Sequence, residues 1–227
     1  MNDILAFVHI PKTAGTSARQ ALQQAVGLEH SLSIGVNITL NEFASLTPEK
    51  LANTKVLFGH AFADEFRRIG APLRFATAVR DPVSRAISYF NFITVRRANS
   101  PLAKKIGGRS VLAATNNVKG FQRNISNMQC RMICGEANAA KAIETIEKED
   151  WLVAKQADLD SLLQNICEEF GWKWTPAPKA NVGKKGYTKS LMAPEVEEAI
   201  QALNHEDMKL VEFVSSRAAR MLASSAS

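Results

Sequence analysis

An unbroken apolar run near the start of the chain most constrains what the chain can fold into. Residues 4–10 read Ile-Leu-Ala-Phe-Val-His-Ile, without the polar alternation of a half-exposed strand. Runs of this kind are typical of a strand that is covered on both faces, as in a parallel sheet. The run stops at Pro11, and a helical pattern of apolar residues begins at Thr16. A buried strand followed at once by a helix predicts a parallel α/β architecture.

The same alternation of strand and helix continues along the chain. Further short apolar runs, each with helical sequence after it, lie at residues 55–58, 74–79 and 151–154. Helical patterns follow Asp81-Pro82 and Asp158, and a long final helix, or a pair of helices, is predicted from Pro194. Residues 96–120 are less regular. We therefore predict a single α/β domain over residues 1–222, with a central parallel sheet flanked by helices, and a disordered tail at residues 223–227.

Composition sets loose bounds on partners and location. The 227 residues carry a net charge of +6, which suits an anionic partner but equally suits an ordinary solvated surface. No apolar run approaches the roughly 18 residues that span a membrane, and the first residues lack the pattern of a signal peptide. Cys130, Cys134 and Cys167 stand at neither disulfide nor zinc spacing. These features predict a cytoplasmic protein with no metal, no membrane span and no nucleic-acid partner.

The loop between the first strand and the first helix predicts a phosphate site. Residues 9–17 read His-Ile-Pro-Lys-Thr-Ala-Gly-Thr-Ser, and a tight turn there aims backbone N–H groups and the helix dipole at one point. The residues assigned to binding are Lys12, Thr13, Ala14, Gly15, Thr16 and Ser17. The loop is not a Walker A motif, because its lysine precedes the glycine.

A second anchor for an anion is predicted at Arg80 and Ser88. Arg80 follows the third apolar run, and Ser88 lies two turns into the next helix, so that a guanidinium fork and a hydroxyl can meet on one phosphate. The alternative for Arg80 is a structural pair with Asp81 beside a helix start.

Together these segments resemble the carbohydrate-type sulfotransferases, the branch that includes heparan sulfate 2-O-sulfotransferase-like enzymes. The stretch 11–17 resembles their 5′-phosphosulfate loop, and 80–90 their 3′-phosphate motif. Weaker matches are Asn127-x-Gln129-x-Arg131 and Asn204-x-x-Asp207. The resemblance implies a P-loop NTPase-like sulfotransferase fold and 3′-phosphoadenylyl sulfate (PAPS) as donor, with adenosine 3′,5′-bisphosphate as product. It also implies a hydroxyl acceptor, expected on a carbohydrate. A late basic loop over the donor is expected at Lys184, Lys185 and Gly186, although a solvated basic turn fits that stretch equally well.

The resemblance also implies a catalytic histidine. His60 follows the second apolar run and matches the catalytic histidine of that family. We therefore expect His60 to take the acceptor proton and Lys12 to stabilise the leaving phosphate. His9 is the alternative candidate for the base. Asp64 and Glu65 lie one turn beyond His60, and two alternatives stay open for them: one of them orients His60, or neither takes part.

Two other function classes stay open. A P-loop-like nucleotide kinase or ATPase needs a lysine beside the Ser/Thr of the loop and an Asp for magnesium, and neither is evident. A non-catalytic module on the same fold would bind a glycan or a protein. Eukaryotic relatives usually carry a Golgi membrane anchor, so its absence here favours a bacterial cytoplasmic protein; a Golgi-lumen protein is expected only if such an anchor lies outside this sequence.

Overall fold

The protein is described by a computed structural model covering residues 3–176 and 192–225, with side chains up to residue 217. Within these residues five strands form one sheet in the order β2-β3-β1-β4-β5, and every neighbouring pair is parallel. The strands are β1 (Ile4–Val8), β2 (Ser31–Ser33), β3 (Val56–Gly59), β4 (Leu73–Val79) and β5 (Leu152–Lys155). The predicted α/β fold with a central parallel sheet is confirmed.

Helices connect and cover these strands. They are α1 (Gly15–Val26), α2 (Leu40–Ala44), α3 (Pro48–Ala52), α4 (Ala63–Arg67), α5 (Pro82–Asn91), a π-helix (Phe92–Arg96), α6 (Pro101–Ile106), α7 (Val111–Asn117), α8 (Lys119–Ile125), α9 (Met128–Cys134), α10 (Ala139–Lys148), α11 (Leu159–Glu169), α12 (Pro194–Ala202) and α13 (His205–Ser225). Short 3-10 turns lie at Leu28–His30 and Gln156–Asp158.

The central strand β1 explains why its sequence is apolar throughout. Side chains alternate between the two faces of a strand, and both faces of this sheet are covered. Leu5 and Phe7 pack in one cluster with α1 and α11. Ala6 and Val8 pack in another, with residues of α9, α10 and α13. All five residues of β1 are therefore buried, as the continuous run predicts.

A third apolar cluster stands apart from the sheet. It is built from α5, the π-helix, α6, α7, α8 and α12, around residues such as Ile87, Phe121 and Ile200. The irregular stretch 96–120 thus contains two short helices, α6 and α7. They are separated at Gly107 and Gly108, whose φ angles of +56° and +75° favour glycine.

The strand register brings three carboxyl ends to one edge of the sheet. Val8 of β1 pairs with Gly59 of β3, and Phe7 of β1 pairs with Ala76 of β4. The residues that follow these strands are His9, His60 and Arg80. In parallel α/β sheets, ligands bind at this edge.

The structure also adds to the sequence predictions. The edge strand β2 was not predicted, because it has only three residues and two of them are serines. The C-terminal pattern forms two helices, which are separated at Leu203 and Asn204. The boundary at residue 222 between domain and tail stays a prediction.

Candidate active site

The loop from β1 to α1 has an unusual backbone. Lys12 and Ala14 adopt positive φ angles of 74° and 65°, a conformation that costs a non-glycine residue about 1–3 kcal/mol. Thr13 lies buried between them, and its hydroxyl donates to the carbonyl of Ile10 at 2.9 Å. The Thr13 hydroxyl therefore stabilises the turn itself. Strain of this kind persists only where the surrounding structure enforces it, and it concentrates at ligand sites.

The first turn of α1 presents backbone donors to this loop. The N-cap is Ala14, which offers no side-chain cap, and the first turn carries no acidic residue. The amides of Ser17 and Ala18 bond to the Ala14 carbonyl, whereas the earliest amides of a helix have no partner within it. Thr16 is exposed and Ser17 half-buried. The start of a helix, with its amide donors and the positive end of the helix dipole, is a place that favours an anion.

Gly15 is needed here for a reason that the sequence did not reveal. A Cβ placed on Gly15 would lie 1.8 Å from Nε2 of His9. The imidazole of His9 therefore rests directly on the backbone of the loop. That Gly15 lets the backbone approach a phosphate closely stays a prediction.

His9 and His60 form a stacked pair beside the loop. Their ring centroids are 4.0 Å apart and the rings are inclined by 28°. Nδ1 of His60 lies 2.8 Å from the backbone carbonyl oxygen of His9. Since a carbonyl only accepts, Nδ1 carries the hydrogen, and Nε2 of a neutral His60 is left with its lone pair.

Burial lowers the pKa of both imidazoles. The pKa of His9 is well below its usual value, first through burial and then through the charges of His60, Lys12 and Arg19. His60 keeps an exposed edge, yet desolvation of the rest of the ring lowers its pKa too, against the opposing effect of the bond to the His9 carbonyl. Both rings are therefore neutral near pH 7. A neutral His60 is ready to accept a proton.

Lys12 stands among other cations. It is half-buried, and its Nζ lies 4.6 Å from the centre of the Phe92 ring. Burial lowers its pKa, and the positive charges of Arg96 and Arg80 lower it further. Within the described residues no carboxylate forms an ion pair with Lys12. A bound anion would relieve this repulsion.

Arg80 joins the loop to the neighbouring strand. Its Nη1 donates to the carbonyl of Lys12 at 3.1 Å. Its own backbone is held by the side chain of Gln129, which accepts from the Arg80 amide at 2.8 Å and donates to the Arg80 carbonyl at 2.9 Å. The structure thus brings Lys12 and Arg80, which were predicted separately, into direct contact.

The other predicted residues have varied placements. Ser88 is half-buried in the second turn of α5. Asp64 bonds to Arg67 and Glu65 to the amide of Phe62, so that the group orienting His60 is the His9 carbonyl. Lys184, Lys185 and Gly186 lie outside the described residues.

Sequence reasoning missed two residues at the site, Gln129 and Phe92. Gln129 stood in the Asn-x-Gln-x-Arg match without a role. Phe92 begins a π-helix, an element common at functional sites, and its ring contacts the cations of both Lys12 and Arg97. No pattern in a single sequence predicts that this phenylalanine lies against the cations of the site.

The described residues contain neither a cluster of metal-ligating side chains nor a helix that could span a membrane. No three His, Cys, Asp or Glu side chains come together as a metal site in that part of the chain. None of its helices is long and apolar enough to cross a membrane.

Comparison with known proteins gives a structural match. No protein-family model matches the chain, and no curated protein is similar in sequence. The crystal structure of a sulfotransferase from Alicyclobacillus acidocaldarius aligns with a TM-score of 0.53, over 95% of this chain and 96% of that chain, at 16% identity. The likeness supports the predicted fold class, a single α/β domain with the P-loop-like fold of sulfotransferases.

Proposed function

We propose that this protein is a sulfotransferase that moves a sulfuryl group from PAPS to a hydroxyl on a carbohydrate. The observation that carries the proposal is the hydrogen bond from Arg80 to the carbonyl of Lys12. It joins the loops after β1 and β4 into one cation-lined cradle, and His60 follows β3 at the same edge. The fold shared with a sulfotransferase supports it.

In the proposed complex, each end of the donor has its own anchor. The 5′-phosphosulfate meets the loop Lys12–Ser17 at the start of α1, where backbone amides and the helix dipole favour an anion. The 3′-phosphate meets the guanidinium of Arg80 and the hydroxyl of Ser88. The assignment of Lys184, Lys185 and Gly186 to nucleotide binding rests on the sequence resemblance alone.

The reaction is a single in-line transfer. The acceptor oxygen attacks the sulfur and forms the new bond, while the bond between sulfur and the phosphate oxygen breaks. The bonding electrons stay on the phosphate of adenosine 3′,5′-bisphosphate, and Lys12 stabilises that charge. The acceptor proton passes to Nε2 of His60.

His60 suits the role of base better than His9 does. Its Nδ1 is engaged with a carbonyl, which directs the basic lone pair to Nε2, and the residue keeps an exposed edge. His9 instead presses its ring on Gly15 and receives the hydrogen bond of His60 through its backbone. We assign His9 a supporting role for the loop and for His60.

The acceptor in this proposal is an anionic carbohydrate. Between Asp81 and Glu136 the chain has no Asp or Glu. The basic residues of that stretch are Arg85, Arg96, Arg97, Lys104, Lys105, Arg109, Lys119, Arg123 and Arg131. Most are exposed, and Arg97 adjoins the site through its contact with Phe92. Such a surface favours an acidic partner.

Nucleotide binding tests the donor directly. We expect adenosine 3′,5′-bisphosphate to raise the midpoint of thermal unfolding more than ADP or ATP at equal concentration, because only the bisphosphate carries the group for Arg80 and Ser88. Arg80→Ala is expected to remove the difference. Equal stabilisation of the wild-type protein by ADP and by the bisphosphate would contradict the proposal.

A further inference from the structure

We infer that Gln129 is a positioning residue for nucleotide binding, acting only through Arg80. The inference rests on the proposed function, since it assumes that Arg80 binds the 3′-phosphate. Gln129 lies on α9, outside the loops that surround the donor, and is fully buried. No contact of its own with the nucleotide is needed.

The contact between Gln129 and Arg80 is double and specific. Oε1 of Gln129 accepts from the amide of Arg80 at 2.8 Å, and Nε2 donates to the carbonyl of the same residue at 2.9 Å. The side-chain amide of Gln129 thus bonds to both backbone groups of Arg80, as a residue of a neighbouring strand would. It fixes the backbone of Arg80 at the point where β4 has ended and ladder hydrogen bonds no longer hold it.

Gln129 is itself held rigidly from behind. The carboxylate of buried Asp207 accepts from the amides of Gln129 at 3.1 Å and Cys130 at 2.9 Å, which caps the start of α9. In return, the side chain of Asn127 accepts from the amides of Glu206 and Asp207 at the start of α13. Two helix starts therefore cap each other, and Gln129 projects from a fixed base.

From Arg80 the chain of contacts reaches the loop. The Arg80 guanidinium bonds to the carbonyl of Lys12, one of the two strained residues that shape the anion cradle. A guanidinium already held by its backbone and by this carbonyl loses little freedom when it binds a phosphate. Without the Gln129 side chain the backbone of Arg80 is free to move. Arg80 must then lose that freedom when it binds the phosphate, which weakens the affinity for the nucleotide.

This role predicts a selective loss of affinity. Gln129→Met fills a similar volume but cannot form either hydrogen bond. We expect it to weaken binding of adenosine 3′,5′-bisphosphate by about tenfold, the scale of one hydrogen bond to a charged group. Binding of adenosine 5′-monophosphate, which lacks the 3′-phosphate, should change less than about twofold.

The experiment is a double-mutant cycle measured by isothermal titration calorimetry. Bisphosphate and monophosphate are titrated into the wild-type protein, Gln129→Met, Arg80→Ala and the double variant. Gln122→Met is the matched control, because Gln122 also bonds to backbone carbonyls but does so in α8. We expect Gln129→Met to have no further effect once Arg80 is absent, and the control to leave both affinities unchanged.

The outcomes separate the two ideas. A wild-type protein that binds both nucleotides equally overturns the proposed donor, and the inference with it. A wild-type protein that prefers the bisphosphate, combined with equal losses from Gln129→Met in both backgrounds, overturns the inference alone. If Gln129→Met fails to fold, Gln129→Asn keeps a polar amide but is too short for both bonds, and the same cycle decides on it.

Discussion

Substituting Gly15 by Ala tests the packing at the centre of the site. The φ of Gly15 is helical, so the backbone accepts Ala, but the new methyl group would lie 1.8 Å from Nε2 of His9. Ordinary contact requires about 3.5 Å, so the imidazole must shift by roughly 1.7 Å. Overpacking of this kind costs about 1–3 kcal/mol of unfolding free energy.

The catalytic effect should exceed the effect on stability. His9 stacks on His60 at 4.0 Å and its carbonyl orients that ring, so a shift of His9 displaces the proposed base. Misplacement by about 1 Å can lower a rate on the order of 100-fold. We expect Gly15→Ala to lower kcat by about that factor, measured with saturating donor.

Urea denaturation of a double variant isolates the contact. In His9→Ala the obstacle is gone, and Gly15→Ala should then be neutral or stabilise by about 0.5–1 kcal/mol, as Ala does in a helix. Gly120→Ala is the control, because its Cβ would meet only the flexible end of Leu102 at 3.1 Å. An equal loss of stability from Gly15→Ala with and without His9 would refute the reasoning.

Three further predictions concern titration and the buried network. Because burial lowers the pKa of His60, sulfuryl transfer should persist below pH 6.5 and fall only as the pH drops through that lowered value; a rate profile with its acid limb at or above pH 6.5 would contradict this. The pKa of His9 is also lowered, so below about pH 6.5 the unfolded chain binds more protons than the folded protein does. The free energy of unfolding should therefore decrease from pH 7.5 to 5.5. Urea titrations of His9→Asn should show a weaker decrease over the same range. Asp207→Ala removes the cap of α9 and the carboxylate that favours the charge of buried Arg85, so it should cost at least about 2 kcal/mol by urea denaturation, and an unchanged midpoint would count against that network.

The sequence was most informative where burial is complete. The run at residues 4–10 predicted a strand covered on both faces because such a strand needs no polar positions, and β1 occupies the centre of the sheet. The loop after β1 and Arg80 were predicted as anion-binding residues from the apolar run that precedes each, and the structure shows that each does follow a strand. Strand β2 escaped prediction because an edge strand of three residues is not compelled to be apolar.

Contacts between distant segments were beyond a single sequence. Gln129 and Arg80 are 49 positions apart, and His60 and His9 are 51 apart. The carbonyl that orients His60 belongs to the backbone, and every residue type has one, so the sequence does not indicate which carbonyl is used. Local pattern identified the acidic neighbours Asp64 and Glu65 instead, and both have other partners in the structure.

The central claim is sulfuryl transfer, and a radiolabel tests it most directly. Donor carrying ³⁵S in its sulfate group should transfer the label to an acidic polysaccharide and leave adenosine 3′,5′-bisphosphate in equal amount. His60→Ala should lose most of this transfer while keeping affinity for the bisphosphate, and Lys12→Ala should lose it as well. Transfer by His60→Ala at the wild-type rate would remove His60 as the base. A wild-type protein that transfers no label to any hydroxyl acceptor, although it is folded and binds the donor, would contradict the account.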